Sequence, residues 1–268
     1  MLTQRLLVAI LLIPIGVTFI VLGGWPFTIL IMAALGVAAW EYWRIYRSGG
    51  FSPSVSLLVG GAVLLALLRY LLNFREGDAA IAFLVMAAMG LHTIHHERGD
   101  DHSSTDFAIT VAGILYIGWL GSYLISLRNL PDGMWWTLQV VLSASLADAG
   151  AYFFGTHLGK HKLAPRVSPK KTWEGYLGGI LVGTIGGVLM GLLWGLATPA
   201  ITPLRGLIIG FVVSALSILG DLGESMIKRQ FNVKDSSHLL PGHGGIFDRI
   251  DSWLWAAPIG YYLILWLW

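Results

Sequence analysis

The chain has 268 residues, of which 56% are hydrophobic and only 12% charged, and a net charge of +2. Its 34 Gly and 12 Trp suit a membrane protein, where Gly is tolerated in helices and Trp settles at interfaces. The absence of cysteine excludes disulfides and thiolate metal sites, and no nucleic acid is expected as a partner.

A membrane-spanning helix needs about 20 mainly apolar residues. Apolar runs broken by charge or by Gly and Pro clusters predict nine of them, near 6–22, 26–43, 54–73, 79–94, 107–127, 134–155, 175–197, 204–223 and 252–268. The expected fold is therefore all-α and polytopic. The first run follows Arg5, but only "VLGGWPF" comes after it, without a small-residue cleavage site, so it is expected to be retained. With nine spans, one face of the membrane receives 13 of the 17 cations, counting Arg5, Arg44, Arg47, Arg98 and the basic residues of 156–174 and 224–251. The positive-inside rule puts that face, with the N-terminus, in the cytoplasm of a cell (inner) membrane and the C-terminus outside.

Polar loops of substance occur only at 95–106, 156–174 and 224–251. Residues 1–130 have few embedded polar groups and read as scaffold. Residues 131–268, with the last two loops, read as the functional part of one integral unit. In the first of these loops, acids between His92, His95, His96 and His102 favour a solvated segment over a ligand cluster.

Asp148 lies inside the sixth span, in "SLADAGAYFFG". An ionised carboxylate at membrane depth costs about 2.5–3.5 kcal/mol on insertion scales, so it needs a partner or a wet cavity. The loop after it, "GKHKLAPRVSPKKTWEG", carries Lys160, Lys162, Arg166, Lys170 and Lys171. Such a loop attracts polyphosphate or anionic head groups, although plain topology also accounts for its charge. Ser168 is expected to cap a helix starting at Pro169, a helix start flanked by lysines being a phosphate site. In the seventh span Gly175, Gly179, Gly183, Gly187, Gly191 and Gly195 recur every four residues. This stripe predicts close helix packing, within the subunit or across a homodimer, in preference to a hinge or substrate groove.

The eighth span ends "SILGDLGESMIKRQ", where Asp221, Glu224, Ser225 and Lys228 share one helix face. Either Lys228 neutralises the two acids or a hard divalent cation does, and oxygen ligands without cysteine suit Mg²⁺. Further on, "PGHGGIFDRID" makes a turn of little bulk whose amides can approach phosphate. It runs into Asp248, Arg249 and Asp251, the two acids spaced to face one cavity. A zinc site from His238 and His243 lacks a supporting ligand pattern. The sequence has no G-x-x-x-x-G-K-[ST], which argues against a P-loop ATPase. Carboxylates, lysines and a Gly-rich turn at one membrane face point to metal-assisted phosphoryl or nucleotidyl transfer. A transporter is the main rival from another class.

The segment "SMIKRQFNVKDSSHLLPGHGGIFDRID", Ser225 to Asp251, resembles the signature of the phosphatidate cytidylyltransferases, and "DAGAYFFG" and "SPKKTWEG" resemble their other familiar segments. The resemblance implies the reaction of CTP with phosphatidate to CDP-diacylglycerol and pyrophosphate, with Mg²⁺ and a second, monovalent ion such as K⁺. It implies metal-binding roles for Asp221 and Asp248, and basic roles for Lys170, Lys171, Lys228, Arg229, Lys234 and Arg249. Beside these, Glu224 and Asp251 are expected as further metal carboxylates and Asp148 as a catalytic group. Substrate phosphates are expected at Ser168, Lys170, Lys171, Lys234 and the His243–Gly244–Gly245 backbone.

Overall fold

The computed structural model describes residues 13–268 except 74, 240, 241 and 243. A shorter apolar helix, α1 (Ile13–Leu22), is followed by α2 (Gly24–Ser48), α3 (Val55–Leu72) and α4 (Gly77–Glu97). Next come α5 (Ser103–Gly113), a π-helical turn at Ile114–Trp119, and α6 (Leu120–Arg128), which form one continuous stretch. After α7 (Gly133–Leu158) a small hairpin, β1 (Lys162–Ala164) and β2 (Ser168–Thr172), leads into α8 (Trp173–Trp194). The chain ends with α9 (Pro203–Leu216), α10 (Ile218–Gln230) and α11 (Phe247–Leu267).

Among the described residues seven helical stretches are long and apolar enough to cross a membrane. This is a multi-pass, all-α membrane protein. The seven match the predicted spans from 26–43 to 204–223, the last being α9 and α10 with a break at Ser217. The predicted span 6–22 begins outside the described residues. Residues 252–267 of the predicted span 252–268 lie in α11, which is not among the seven and whose first two turns carry Asp248, Arg249 and Asp251.

Two local expectations need correction. Ser168 does not cap a helix. Pro169, whose fixed φ fits extended backbone, lies in β2, which pairs antiparallel with β1, Lys162 opposite Thr172 and Ala164 opposite Ser168. The cap is Thr172, four residues later, whose hydroxyl accepts the Gly175 amide at 3.1 Å. The histidines of 92–96 are not in a loop, because α4 continues to Glu97. His92 is buried there, its Nε2 3.0 Å from the Thr110 hydroxyl.

The chain divides into two compact units. One comprises the chain up to Ser126 together with Ile227–Ile250, the other Leu127–Met226 with Asp251–Trp268. The chain crosses between them inside α6, inside α10 and inside α11. In the first unit α2 and α3 close on the π-helical region: a Cβ at Gly118 would lie 2.8 Å from the Ala62 Cα. The Phe231 ring lies over Gly49 and meets the rings of Tyr46 and Phe51 at 5.0 and 6.0 Å. That aromatic cluster ties the chain after α10 to the end of α2.

The second unit is organised by the glycine stripe of α8. A Cβ at Gly175 or Gly179 would stand 2.7 Å from the carbonyl of Ala151 or Ala147 on α7. At Gly187 it would run into the Gly206 carbonyl, and at Gly191 it would stand 2.7 Å from that of Thr202, both at α9. One stripe therefore seats two helices at backbone contact, inside the subunit. The opposite face of α8, with Leu177, Leu181, Ile185 and Leu189, is more than half exposed, as a lipid-facing side must be. An apolar core of Trp136, Val140, Ile209, Val213 and Ala256 closes the unit.

Candidate active site

In the second unit the hairpin delivers Lys171, whose Nζ donates to Asp221 Oδ2 at 2.5 Å. The Ser225 hydroxyl donates to the other oxygen at 3.2 Å. Lys171 and Asp221 keep 23% and 28% of their side chains exposed, so the pair is open to a solvent-borne ligand. The hairpin is stapled at its base by Glu174, in the first turn of α8. Its carboxylate accepts the Lys160 amide at 3.0 Å and the His161 amide at 3.2 Å, and lies 2.5 Å from His161 Nδ1. A carboxylate at a helix N-terminus is itself favoured there by the helix dipole.

Asp148 lies exposed on α7, where the Ser252 hydroxyl donates to it at 3.2 Å. That hydroxyl is a partner of the kind expected for it, and its side of α7 is open, with Tyr152 76% exposed one turn on. Asp251 and Glu224 are buried, and the Ser252 amide donates to Asp251 at 2.6 Å. The close approach of α10 and α11 in this unit depends on Gly220, where a Cβ would meet the Asp251 carbonyl.

In the first unit Asp248 is the centre of a donor cluster. Lys228 Nζ donates to Oδ1 at 2.5 Å. Oδ2 accepts the Ser236 amide at 2.9 Å, the Ser236 hydroxyl at 2.8 Å and the Gly245 amide at 2.7 Å. Lys228 therefore serves Asp248, and the cation on Asp221 is Lys171. Helix periodicity indicated only Lys228, because it could not anticipate a partner arriving from β2. Gly244 has a φ of +78°, and a Cβ on it would strike Asp248 Oδ2. The Gly245 amide expected to face phosphate is engaged by Asp248. His243 lies outside the described residues.

Lys170, Arg229, Lys234 and Arg249 are exposed, with Arg229 also donating to the Val233 carbonyl at 3.1 Å. Lys234 lines a cavity of about 290 Å³ with Arg44, Ser48, Ser236, Ser237 and His238. Arg44, Lys234 and His238 give that cavity a basic wall, beside Asp235 and three serine hydroxyls that already donate within the protein. Arg44 was not singled out from the sequence except as a topology charge.

Among the described residues no three His, Asp or Glu side chains form a ready-made metal cluster. The oxygen donors nevertheless fit Mg²⁺ entering with a polyphosphate, since Mg²⁺ takes one or two carboxylates and fills its other positions with phosphate oxygens and water.

Comparison with known proteins adds the family. The model of the cytidylyltransferase family matches residues 3–267. A phosphatidate cytidylyltransferase of Bacillus subtilis is 36% identical, with 97% of each chain covered. One of Pseudomonas aeruginosa is 40% identical over 99% of this chain and 97% of its own. One of Synechocystis is 31% identical over 98% and 96%.

Proposed function

Because the chain belongs to the cytidylyltransferase family, we propose that it transfers CMP from CTP to phosphatidate, releasing pyrophosphate and leaving CDP-diacylglycerol in the bilayer for phospholipid biosynthesis. The observation that carries the reading is the pairing of both signature aspartates with a lysine, Lys171–Asp221 and Lys228–Asp248. Lys171–Asp221, part-exposed, offers a carboxylate to a cation and an ammonium to phosphate, and Lys228–Asp248 lies beneath the surface with Asp248 Oδ1 the oxygen left clear of loop donors.

An oxygen of the lipid phosphate attacks the α-phosphorus of CTP in line, and the bond from that phosphorus to the α,β-bridging oxygen breaks as pyrophosphate leaves. Phosphatidate is ionised at neutral pH, so no general base is needed. Asp221 and Asp248 are the proposed carboxylates for Mg²⁺, with Glu224, Asp251 and Asp148 in support. When bound, the cation neutralises polyphosphate charge and orients it. Lys170 and Lys171 bind phosphate from the hairpin, while Lys228, Arg229 and Arg249 offset the charge that accumulates on pyrophosphate. Lys234 acts from the wall of its cavity. The active face is cytoplasmic, with the C-terminus outside. A monovalent ion such as K⁺ would add to the charge balance. A homodimer, if it forms, uses a face other than the glycine stripe.

The test is purified protein in detergent with phosphatidate, labelled CTP and Mg²⁺, with and without EDTA. Metal-dependent CDP-diacylglycerol and pyrophosphate are expected. Product formed only with another lipid acceptor would reassign the substrate, and no product in an intact preparation would return transport to first place.

A further inference from the structure

Glu41 stands in α2, far in sequence from the signature, and is fully buried. Both of its oxygens are engaged by the signature loop. Oε1 accepts the Ser237 hydroxyl at 2.5 Å and the Ile246 amide at 3.1 Å. Oε2 accepts the Ser236 hydroxyl at 3.1 Å and the Phe247 amide at 2.7 Å. The same two pieces of loop, 236–237 and 245–247, also supply the three donors on Asp248 Oδ2. Ser236 touches both carboxylates through one hydroxyl. At Gly245 a Cβ would strike both Glu41 Oε1 and Ser236 Oγ, so the second glycine of "HGG" is required by Glu41.

The consequence concerns Asp248. Its Oδ2 is saturated by loop donors, which turns Oδ1 toward Lys228. The orientation holds only while the loop holds, and the loop closes around Glu41.

We propose that Glu41 is a positioning residue for the transfer: from the N-terminal half it clamps residues 236–237 and 245–247 of the signature segment, and through Ser236 and Gly245 it fixes which oxygen of Asp248 is presented to the reaction. This rests on the function proposed above. All four partners of Glu41 donate to it, so Glu41→Gln keeps the shape but sets an amide NH₂ against one backbone amide, Ile246 or Phe247, and turns the serine hydroxyl beside it from donor to acceptor. The loop then loosens, and a misplacement on the order of 1 Å costs on the order of 100-fold in rate.

The experiment compares wild type, E41Q, S236A and the double variant E41Q/S236A in detergent, by hydrogen exchange, thermal unfolding and turnover. In E41Q we expect faster exchange confined to the loop, and kcat down by about 10- to 100-fold with KM for CTP within about threefold. The double variant should lose less than the sum of the two single losses, because both changes act on one linkage. Wild-type exchange in the loop, wild-type kcat, or fully additive losses would overturn the proposal. So would exchange that rises throughout the protein. If E41Q does not fold, S237A removes one of the four bonds. It should show smaller changes of the same kind, and wild-type loop exchange and kcat in S237A would overturn the proposal. A wild type that makes no CDP-diacylglycerol refutes the reaction, whereas the exchange data judge the clamp independently.

Discussion

Changing Asp248 to Asn removes one charge from a pair that is nearly sealed from solvent, the two side chains being 9% and 6% exposed. Asn can preserve the loop: its carbonyl oxygen takes the place of Oδ2 and keeps the Ser236 and Gly245 donors. Its amide then faces Lys228 Nζ, donor against donor. Lys228 becomes a stranded cation, and breaking a buried pair by deleting one partner costs about 3–5 kcal/mol. For a chain of this size about 1 kcal/mol moves Tm by roughly 2–4 °C, so D248N should melt on the order of 10 °C below wild type. Replacing both partners, as in D248N/K228M, removes the stranded charge and should restore stability to within about 1 kcal/mol of wild type. Turnover should stay lost in both variants. Thermal unfolding by intrinsic Trp fluorescence in detergent, beside the CDP-diacylglycerol assay, reads the two effects separately. A double variant that melts as low as D248N would refute the reasoning, because the loss would then come from the loop and not from Lys228.

The Lys171–Asp221 pair is part-exposed, and exposed pairs are worth about 0–1 kcal/mol, so K171M should leave Tm almost unchanged while turnover collapses. Gly187→Ala drives a methyl into the Gly206 carbonyl and should cost about 1–3 kcal/mol in thermal unfolding. Gly60→Ala meets nothing within 4 Å on α3 and should be neutral or stabilising by about 0.5–1 kcal/mol. Glu174→Gln loses the charge that receives the Lys160 and His161 amides, and faster exchange confined to residues 159–162 is the expected mark.

The helices and the glycine stripe were legible because both are periodic and local: a run of apolar residues is its own signal, and so is Gly at every fourth position. Thr172 was missed because Ser168–Pro169 offers the same capping chemistry four residues earlier, and only the pairing of β2 with β1 decides between them. The lysine partners were half legible. Lys228 was drawn toward the two acids of its own helix face, Asp221 and Glu224, whereas the chain turns back and presents Asp248 to it, and Asp221 receives Lys171.

Glu41 was missed for a different reason. Its partners lie between 195 and 206 residues further on, beyond any periodicity. Yet the argument that an acid within an apolar span needs a partner applies to "AAWEYW" as well as to "SLADAG". Applied to Asp148, it singled out an exposed carboxylate partnered by the Ser252 hydroxyl. Applied to Glu41, it would have found the carboxylate that is fully buried and bonded on both oxygens. The N-terminal helices are therefore more than scaffold in the first unit. They contribute the charge around which the signature loop folds, and the glycine and serine positions of that loop follow from Glu41 as much as from any substrate.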